Sequence, residues 1–329
     1  MLKQSINWGI IGCGDVTEVK SGPAFNKIKN SSLVAVMRRD EAKAKDFALR
    51  HGVPKWYSNA EDLINDDSID AVYVATPPSS HELYATQAML AGKNVYLEKP
   101  VTTNTLACKR LLEVEKQTGQ KIAVAHYRRA LPLFEEIKKI LDLGFIGKIR
   151  AVNIQFYQPH QSSLIANLET NWRIDANIAG AGLFYDIAPH QIDMLLFLFG
   201  ESKSFFGKAL NHSKLYLVED TVSGIIHFQN NIVFSGNWCF TMPAMAQSDV
   251  CKITGENGNI EFSFYSNKFI LNMKSESKTF EFNHPAHIQQ PMIEKVVDYF
   301  LGNALNPCSL EEAYKSLQIM EGFVMNYEL

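Results

Sequence analysis

From Ile6 to about Ala125 the hydrophobic positions follow two alternating habits. Short apolar, often β-branched runs at 8–11, 33–37, 71–75, 94–97 and 122–125 predict buried strands. Between them, 42–50, 60–64, 81–91 and 106–118 place apolar residues every three or four positions, the helical period, and Gly52, Gly92 and Gly119 stand where those helices would stop. This alternation predicts βαβ units and a doubly wound parallel sheet, an α/β Rossmann-type domain over 1–125.

After His126 the pattern changes. A helix is expected over 132–142, an alternating half-solvated strand over 148–157 and a second helix over 187–199. From Phe205 to Phe282 the chain reads as a strand meander, with Asn230-Asn231 forming a tight turn between 223–228 and 232–240, and Gly255 to Gly258 turning 250–254 into 259–264. Helices over 288–301 and 310–325 close the chain. The expectation for 126–329 is an α+β domain with a large, mostly antiparallel open sheet.

Composition narrows the class of partner. The 329 residues suggest about two domains at roughly 150 residues each. A net charge of −3 without a Lys or Arg block argues against nucleic acid as a partner. No run approaches 18 uncharged apolar residues, so no membrane span is expected, and the N-terminal segment lacks the pattern of a signal peptide. Cys13, Cys108, Cys239, Cys251 and Cys308 are widely separated and show no metal-ligand spacing, which points to a reduced, cytoplasmic protein without a metal site. His190 with Asp193, and His284 with His287, lack a third convincing ligand.

Gly12-Cys13-Gly14-Asp15-Val16-Thr17 lies where the first strand gives way to a helix. Glycine at the first position permits a tight turn, and glycine at the second lets a pyrophosphate reach backbone N–H groups. Thr17 stands where the pattern has Gly or Ala. The second strand ends in Arg38-Arg39-Asp40. A carboxylate there would hold the ribose of NAD(H), whereas an arginine accommodates the 2′-phosphate of NADP(H). Arg38 favours NADP(H), with Arg39 a second fork or an adenine-stacking plane; NAD(H), through Asp40, is the alternative.

Thr76-Pro77-Pro78-Ser79-Ser80-His81 and Tyr96-Leu97-Glu98-Lys99-Pro100 follow the next two strands. Together with Trp8-Gly9-Ile10-Ile11-Gly12-Cys13-Gly14 they resemble the glucose-fructose oxidoreductase, inositol dehydrogenase and MocA family along nearly the whole chain. The resemblance implies an N-terminal Rossmann domain, a C-terminal open-sheet domain and NAD(P)-linked redox chemistry on sugars, polyols or related compounds. Lys99, at the carboxyl end of a parallel strand, can donate to a substrate oxygen and exchange a proton with it. Glu98 either orients Lys99 or meets the cofactor amide.

A second constellation, Gly180-Ala181-Gly182 followed by Asp186 and His190, resembles the family's glycine-rich approach to a D-x-x-x-H helix. The resemblance implies that Asp186 polarises the reacting hydroxyl and that His190 shares proton transfer with Lys99. Pro189 between them suits a helix's first turn, which leaves Asp186 open to a second reading as an N-cap. His126-Tyr127-Arg128-Arg129 matches a family segment: Arg128 is expected at the nicotinamide or the substrate and Arg129 as a clamp between domains, with a solvated position the alternative for both. Asn171-Trp172-Arg173 and Tyr157 are expected to wall the substrate. The favoured activity is reversible hydride transfer. The alternatives are an NAD-linked glycosidase working by transient oxidation and a silent NADP-binding sensor. An open sheet with one apolar face further predicts a homo-oligomer, dimer or tetramer.

Overall fold

The computed structural model describes residues 4–160, 162 and 172–325. The chain forms two compact units, Met1–Leu131 with His284–Lys315, and Pro132–Asn283 with Ser316–Leu329.

The first unit is built on a six-stranded parallel sheet: β1 (Ile6–Ile11), β2 (Ser31–Met37), β3 (Lys55–Tyr57), β4 (Ala71–Val74), β5 (Asn94–Leu97) and β6 (Ile122–Val124) lie in the order β3-β2-β1-β4-β5-β6. Helices α1 (Glu41–His51), α2 (Ala60–Ile64), α3 (His81–Leu90) and α4 (Thr105–Thr118) make the crossovers. Asp40 caps α1 by accepting the Lys43 N–H at 3.1 Å, and Asn104 caps α4 through the Ala107 N–H at 2.9 Å. The doubly wound sheet is the one the hydrophobic pattern predicts. Two local features differ. The three-residue β3 is too short to leave a pattern. After β1 the chain enters a wide turn, Thr17–Ser21, closed by the Gly22 N–H on the Thr17 carbonyl, then a 3₁₀ turn over Gly22–Lys27. Pro23 has no N–H to give to a regular α ladder, so the expected helix is broken there.

The second unit carries an eight-stranded sheet. Its elements are α5 (Pro132–Asp142), β7 (Ile149–Tyr157), α6 (Ala176–Ala179), α7 (Leu183–Ile187), α8 (Pro189–Phe199), β8 (Ser202–Leu210), β9 (Thr221–Phe228), β10 (Val233–Cys239), β11 (Ser248–Gly255), β12 (Gly258–Phe262), β13 (Lys268–Met273) and β14 (Ser277–Glu281). The order is β14-β13-β12-β11-β7-β10-β9-β8, antiparallel except where β7 meets β10. One face is buried through Ile154, Phe156, Ile226, Phe234, Trp238 and Ile253. Gly207, Gly224 and Gly236 align in register across three strands of that face. A Cβ on Gly224 would lie 2.1 Å from the Phe323 ring and one on Gly207 2.6 Å from it, so these two glycines make the seat for that aromatic side chain. The other face keeps Phe206, Ile225 and Val233 about half exposed.

Two helices end the chain, α9 (Gln290–Leu301) and α10 (Leu310–Val324). Beside the expected division after Ala125, the compact first unit extends to Leu131 and takes back His284–Lys315. The physical reason is packing: Phe300 of α9 sits 5.6 Å from Trp8, and Gln289 donates to Glu98 at 2.8 Å. A fully buried aromatic or aliphatic side chain contributes about 1.5–3 kcal/mol, so the buried face of α9 belongs energetically to the Rossmann core.

Candidate functional site

In the first unit the candidate residues gather at the carboxyl ends of β1, β2, β4 and β5, the sheet edge where doubly wound folds bind ligands. Gly12 has φ +93°, and a Cβ there would meet Thr76 Cγ2 at 2.8 Å and the Ala75 carbonyl at 3.0 Å. Both its conformation and its neighbours require glycine. Gly14 is different. Its φ is not in the left-handed region, and a Cβ would meet nothing nearer than the Gly12 carbonyl oxygen at 4.0 Å. Neither strain nor the protein's own packing demands glycine there, so the space suits a group brought from outside, as a dinucleotide phosphate would be. Thr17 is buried and its hydroxyl donates to the Gly14 carbonyl at 2.7 Å, which accommodates the β-branched side chain.

Arg38, at the end of β2, donates from Nη1 to the Cys13 carbonyl at 3.3 Å and so lies over the glycine turn. Burial pushes the Cys13 thiol up to about 11, and the residue offers the turn its backbone alone. Arg39 lines an open cleft of about 250 Å³ with Met37, Ser58, Asn59, Tyr84 and Gln87. Asp40 is occupied in capping α1.

At the ends of β4 and β5, two expected cofactor contacts turn inward. The Glu98 carboxylate is buried and accepts from the Tyr73 hydroxyl at 2.6 Å, Gln289 Nε2 at 2.8 Å and the Lys99 N–H at 3.1 Å. It therefore orients the Lys99 backbone rather than meeting a cofactor amide. His81 is fully buried, with Nε2 2.7 Å from the Thr76 carbonyl and Nδ1 3.0 Å from that of Pro100. It ties the Thr76-Pro77-Pro78 segment to the Lys99-Pro100 segment and does not reach out to a ligand. Lys99 itself is half-buried directly after β5, and its peptide bond to Pro100 is cis. Arg128 is buried, donating to the Tyr127 hydroxyl at 2.9 Å with its guanidinium 5.0 Å from that ring. Arg129, expected as a clamp between domains, donates to Glu312 at 2.7 Å and to the Pro307 carbonyl at 3.3 Å, both within the first unit.

In the second unit α7 and α8 meet at Ala188, with Pro189 opening α8. Ala188 is the N-cap, so the reading of Asp186 as the cap is corrected. Asp186 instead accepts from Arg173 Nε at 2.9 Å, and the Arg173 guanidinium stacks 4.5 Å over the Trp172 ring. The backbone stays helical through Ala188, so Asp186 and His190 stand one turn apart, with His190 buried in the first turn of α8. Tyr157 is half-buried at the end of β7, paired with Cys239 and Ser248. Asn171 lies outside the described residues, as does most of the 159–174 loop.

Glu219 was missed by sequence reasoning. It is buried two residues before β9, and its Oε1 accepts the Gly182 N–H at 2.8 Å. Burial pushes this carboxyl up to about 7. No local signal links two residues 37 positions apart. Among the described residues no group of three or more His, Cys, Asp or Glu is arranged to hold a metal, and no helix is long and apolar enough to cross a membrane.

Comparison with known proteins bears on the whole chain. Residues 6–126 match the family described as oxidoreductase, NAD-binding Rossmann fold, and residues 134–261 match the GFO/IDH/MocA C-terminal domain. Oxidoreductase P35 of Formosa agariphila is 48% identical over 322 residues, 98% of this chain and 99% of that one. The trans-1,2-dihydrobenzene-1,2-diol dehydrogenase of Bos taurus is 26% identical across 77% of this chain and 73% of its own. In fold, an oxidoreductase from Thermotoga maritima superposes with TM-score 0.85 at 23% identity, covering 97% of this chain and 96% of that one. Levoglucosan dehydrogenase, solved with NADH and levoglucosan, superposes with TM-score 0.82 at 24% identity, covering 98% and 97%. With a glycine turn at the carboxyl end of β1, a mostly antiparallel sheet in the second unit and both halves matched, this chain belongs to the Gfo/Idh/MocA oxidoreductase family.

Proposed function

We propose that the protein transfers a hydride reversibly between NADP(H) and a CH–OH carbon of a sugar, polyol or related hydroxy compound. The observation that carries the cofactor assignment is the unfilled space at Gly14 with Arg38 laid across the same turn. A guanidinium fork suits a 2′-phosphate, and the carboxylate that would hold a free ribose hydroxyl, Asp40, is engaged as a helix cap. Asp15 and Val16 complete the phosphate turn, Thr76, Pro77 and Pro78 flank it after β4, and Arg39 borders the cleft beside it. Arg128 is assigned to the nicotinamide side.

When bound, the nicotinamide supplies or takes the hydride at C4. The chain's own residues handle the proton and the orientation. Lys99 donates to the substrate oxygen, and Lys99 or His190 takes its proton during oxidation and returns it during reduction. Asp186, aimed by Arg173, binds the reacting hydroxyl; Trp172 and Tyr157 offer aromatic surface to the C–H face of a sugar. Relatives in name or fold include a dihydrodiol dehydrogenase and a levoglucosan dehydrogenase, which supports a cyclic hydroxylated substrate.

The half-exposed Phe206, Ile225 and Val233 on the open sheet support a homo-oligomer, with a second copy covering that face. All five cysteines are buried thiols, which supports a reducing, cytoplasmic setting. The test is a panel of aldoses, polyols, inositols and anhydrosugars with NADP⁺ and NAD⁺, read at the nicotinamide absorbance, with sedimentation velocity alongside. Turnover with NADP⁺ at least ~10-fold more efficient than with NAD⁺ is expected, as the loss of one charge-assisted fork predicts. Glycoside cleavage without net reduction, or binding without any turnover, would contradict the proposal. A monomer at micromolar concentration would remove the oligomer from it.

A further inference from the structure

We propose that Glu219 is a positioning residue for this chemistry, its carboxyl holding Gly182 and thereby the helical turn that carries Asp186. The inference rests on the reading of Asp186 and His190 given above.

The contact is close and two-sided. Glu219 Oε1 accepts the Gly182 N–H at 2.8 Å, and a Cβ on Gly182 would stand 2.6 Å from the Glu219 carbonyl oxygen and 2.8 Å from Oε1. Gly182 has φ −87° and ψ −158°, an extended conformation open to any residue, so the glycine is dictated by Glu219 and not by backbone strain. Gly182 is also the N-cap of α7, and its carbonyl accepts the Tyr185 N–H at 3.0 Å. From there to Asp186 is a single helical turn, and the Asp186 carboxylate is fixed in turn by Arg173 at 2.9 Å. The turn is therefore held at its backbone end by one buried carboxyl and at its functional end by one guanidinium. A displacement at Gly182 moves Asp186 against Arg173.

The groups acting on Glu219 favour a titrating tether. Asp220, next in the chain, carries like charge and takes the Ser213 N–H at 2.7 Å, the Thr221 hydroxyl at 2.9 Å and the His212 N–H at 3.1 Å. The Tyr216 phenol on the preceding loop, raised mainly by burial, also feels the charge of Glu219. On the α7 side stand the Gly182 N–H and, one turn on, Asp186 with its Arg173. Burial raises Glu219 to about 7, so above neutral pH the tether is a charge-assisted bond and below it the weaker bond of a neutral acid.

The experiment compares wild type with Glu219→Gln and Glu219→Ala. It follows kcat against pH, the KM for NADPH, and hydrogen exchange of the 180–187 segment by mass spectrometry. Glu219→Gln keeps an acceptor for Gly182 and cannot ionise. It should retain kcat within about threefold at the plateau and lack the wild-type ionisation near 7, as a tether without a titrating group predicts. Glu219→Ala should lose on the order of 10-fold in kcat at unchanged NADPH KM, with faster exchange in 180–187 that Glu219→Gln does not show. A Glu219→Gln profile that superimposes on wild type overturns the inference, and this arm decides if the alanine variant fails to fold. Wild-type kcat and exchange in Glu219→Ala overturn it equally. Faster exchange in Glu219→Ala beside a wild type that turns over no substrate would instead bring down the hydride-transfer reading, leaving the tether in place.

Discussion

Two glycine-bearing turns, Gly12-Cys13-Gly14 in the first unit and Gly180-Ala181-Gly182 in the second, look alike in sequence, and each leads into helical backbone. Their second glycines have opposite surroundings. A side chain on Gly14 would project into open space, whereas a side chain on Gly182 would run into the backbone and carboxyl of Glu219. The first is open, which is the basis for proposing a ligand there, and the second is filled by the protein itself. A glycine motif therefore reads as a cradle or as internal packing according to what a Cβ would meet.

The sharpest way to break this comparison is to add that Cβ. Gly182→Ala should destabilise the fold by up to about 3 kcal/mol, because the nearest atom is a backbone oxygen that cannot move aside. Gly14→Ala should leave the melting temperature unchanged. Equal losses in thermal unfolding would erase the distinction.

Next in size is the charge laid over the first turn. Arg38→Asp should weaken NADPH binding by about 1.5–3 kcal/mol, roughly 10- to 150-fold, and NADH binding far less. Parallel losses for both cofactors, measured by isothermal titration, would show that Arg38 supports the turn without reading the 2′-position.

Smaller effects concern the buried carboxyls. Glu219 titrates near 7 in the folded chain against an ordinary 4.5, so its contribution to stability is full below 4.5 and is lost as pH rises through 7. Glu219→Gln should thus gain on wild type in denaturant unfolding between pH 5 and pH 8. Glu115, raised to about 7 by burial and by Glu311, has the same sign; more exposed, it should give a smaller gain in Glu115→Gln. A variant that loses ground at pH 8 would contradict the assigned protonation.

Much of this was legible in the sequence, for reasons that differ by region. The parallel sheet shows because its strands are buried on both faces and interrupted by helical periods, and the boundaries of α2, α5 and β5 follow from local pattern alone. The family motifs single out Lys99, Asp186 and His190, and the catalytic roles given to them are part of the proposal. What stayed hidden depends on partners distant along the chain. Glu98 turns inward because Gln289 waits 191 positions away, and Arg129 meets Glu312 after 183. The same applies to Glu219 and to the return of His284–Lys315 to the first unit. For Asp186 the sequence leaves cap and ligand open, and the structure removes the cap, since Ala188 is the N-cap of α8 and the carboxylate accepts from Arg173.

The central claim is that the space at Gly14 is kept for a dinucleotide. Its most direct test is a nicotinamide-fluorescence titration of NADPH into wild type and Gly14→Val, with circular dichroism confirming that both are folded. Wild type should bind tightly and Gly14→Val at least ~10-fold more weakly, since a branched side chain blocks the approach of phosphate to the turn. Equal affinity in a folded Gly14→Val, or no binding by wild type, would contradict the account.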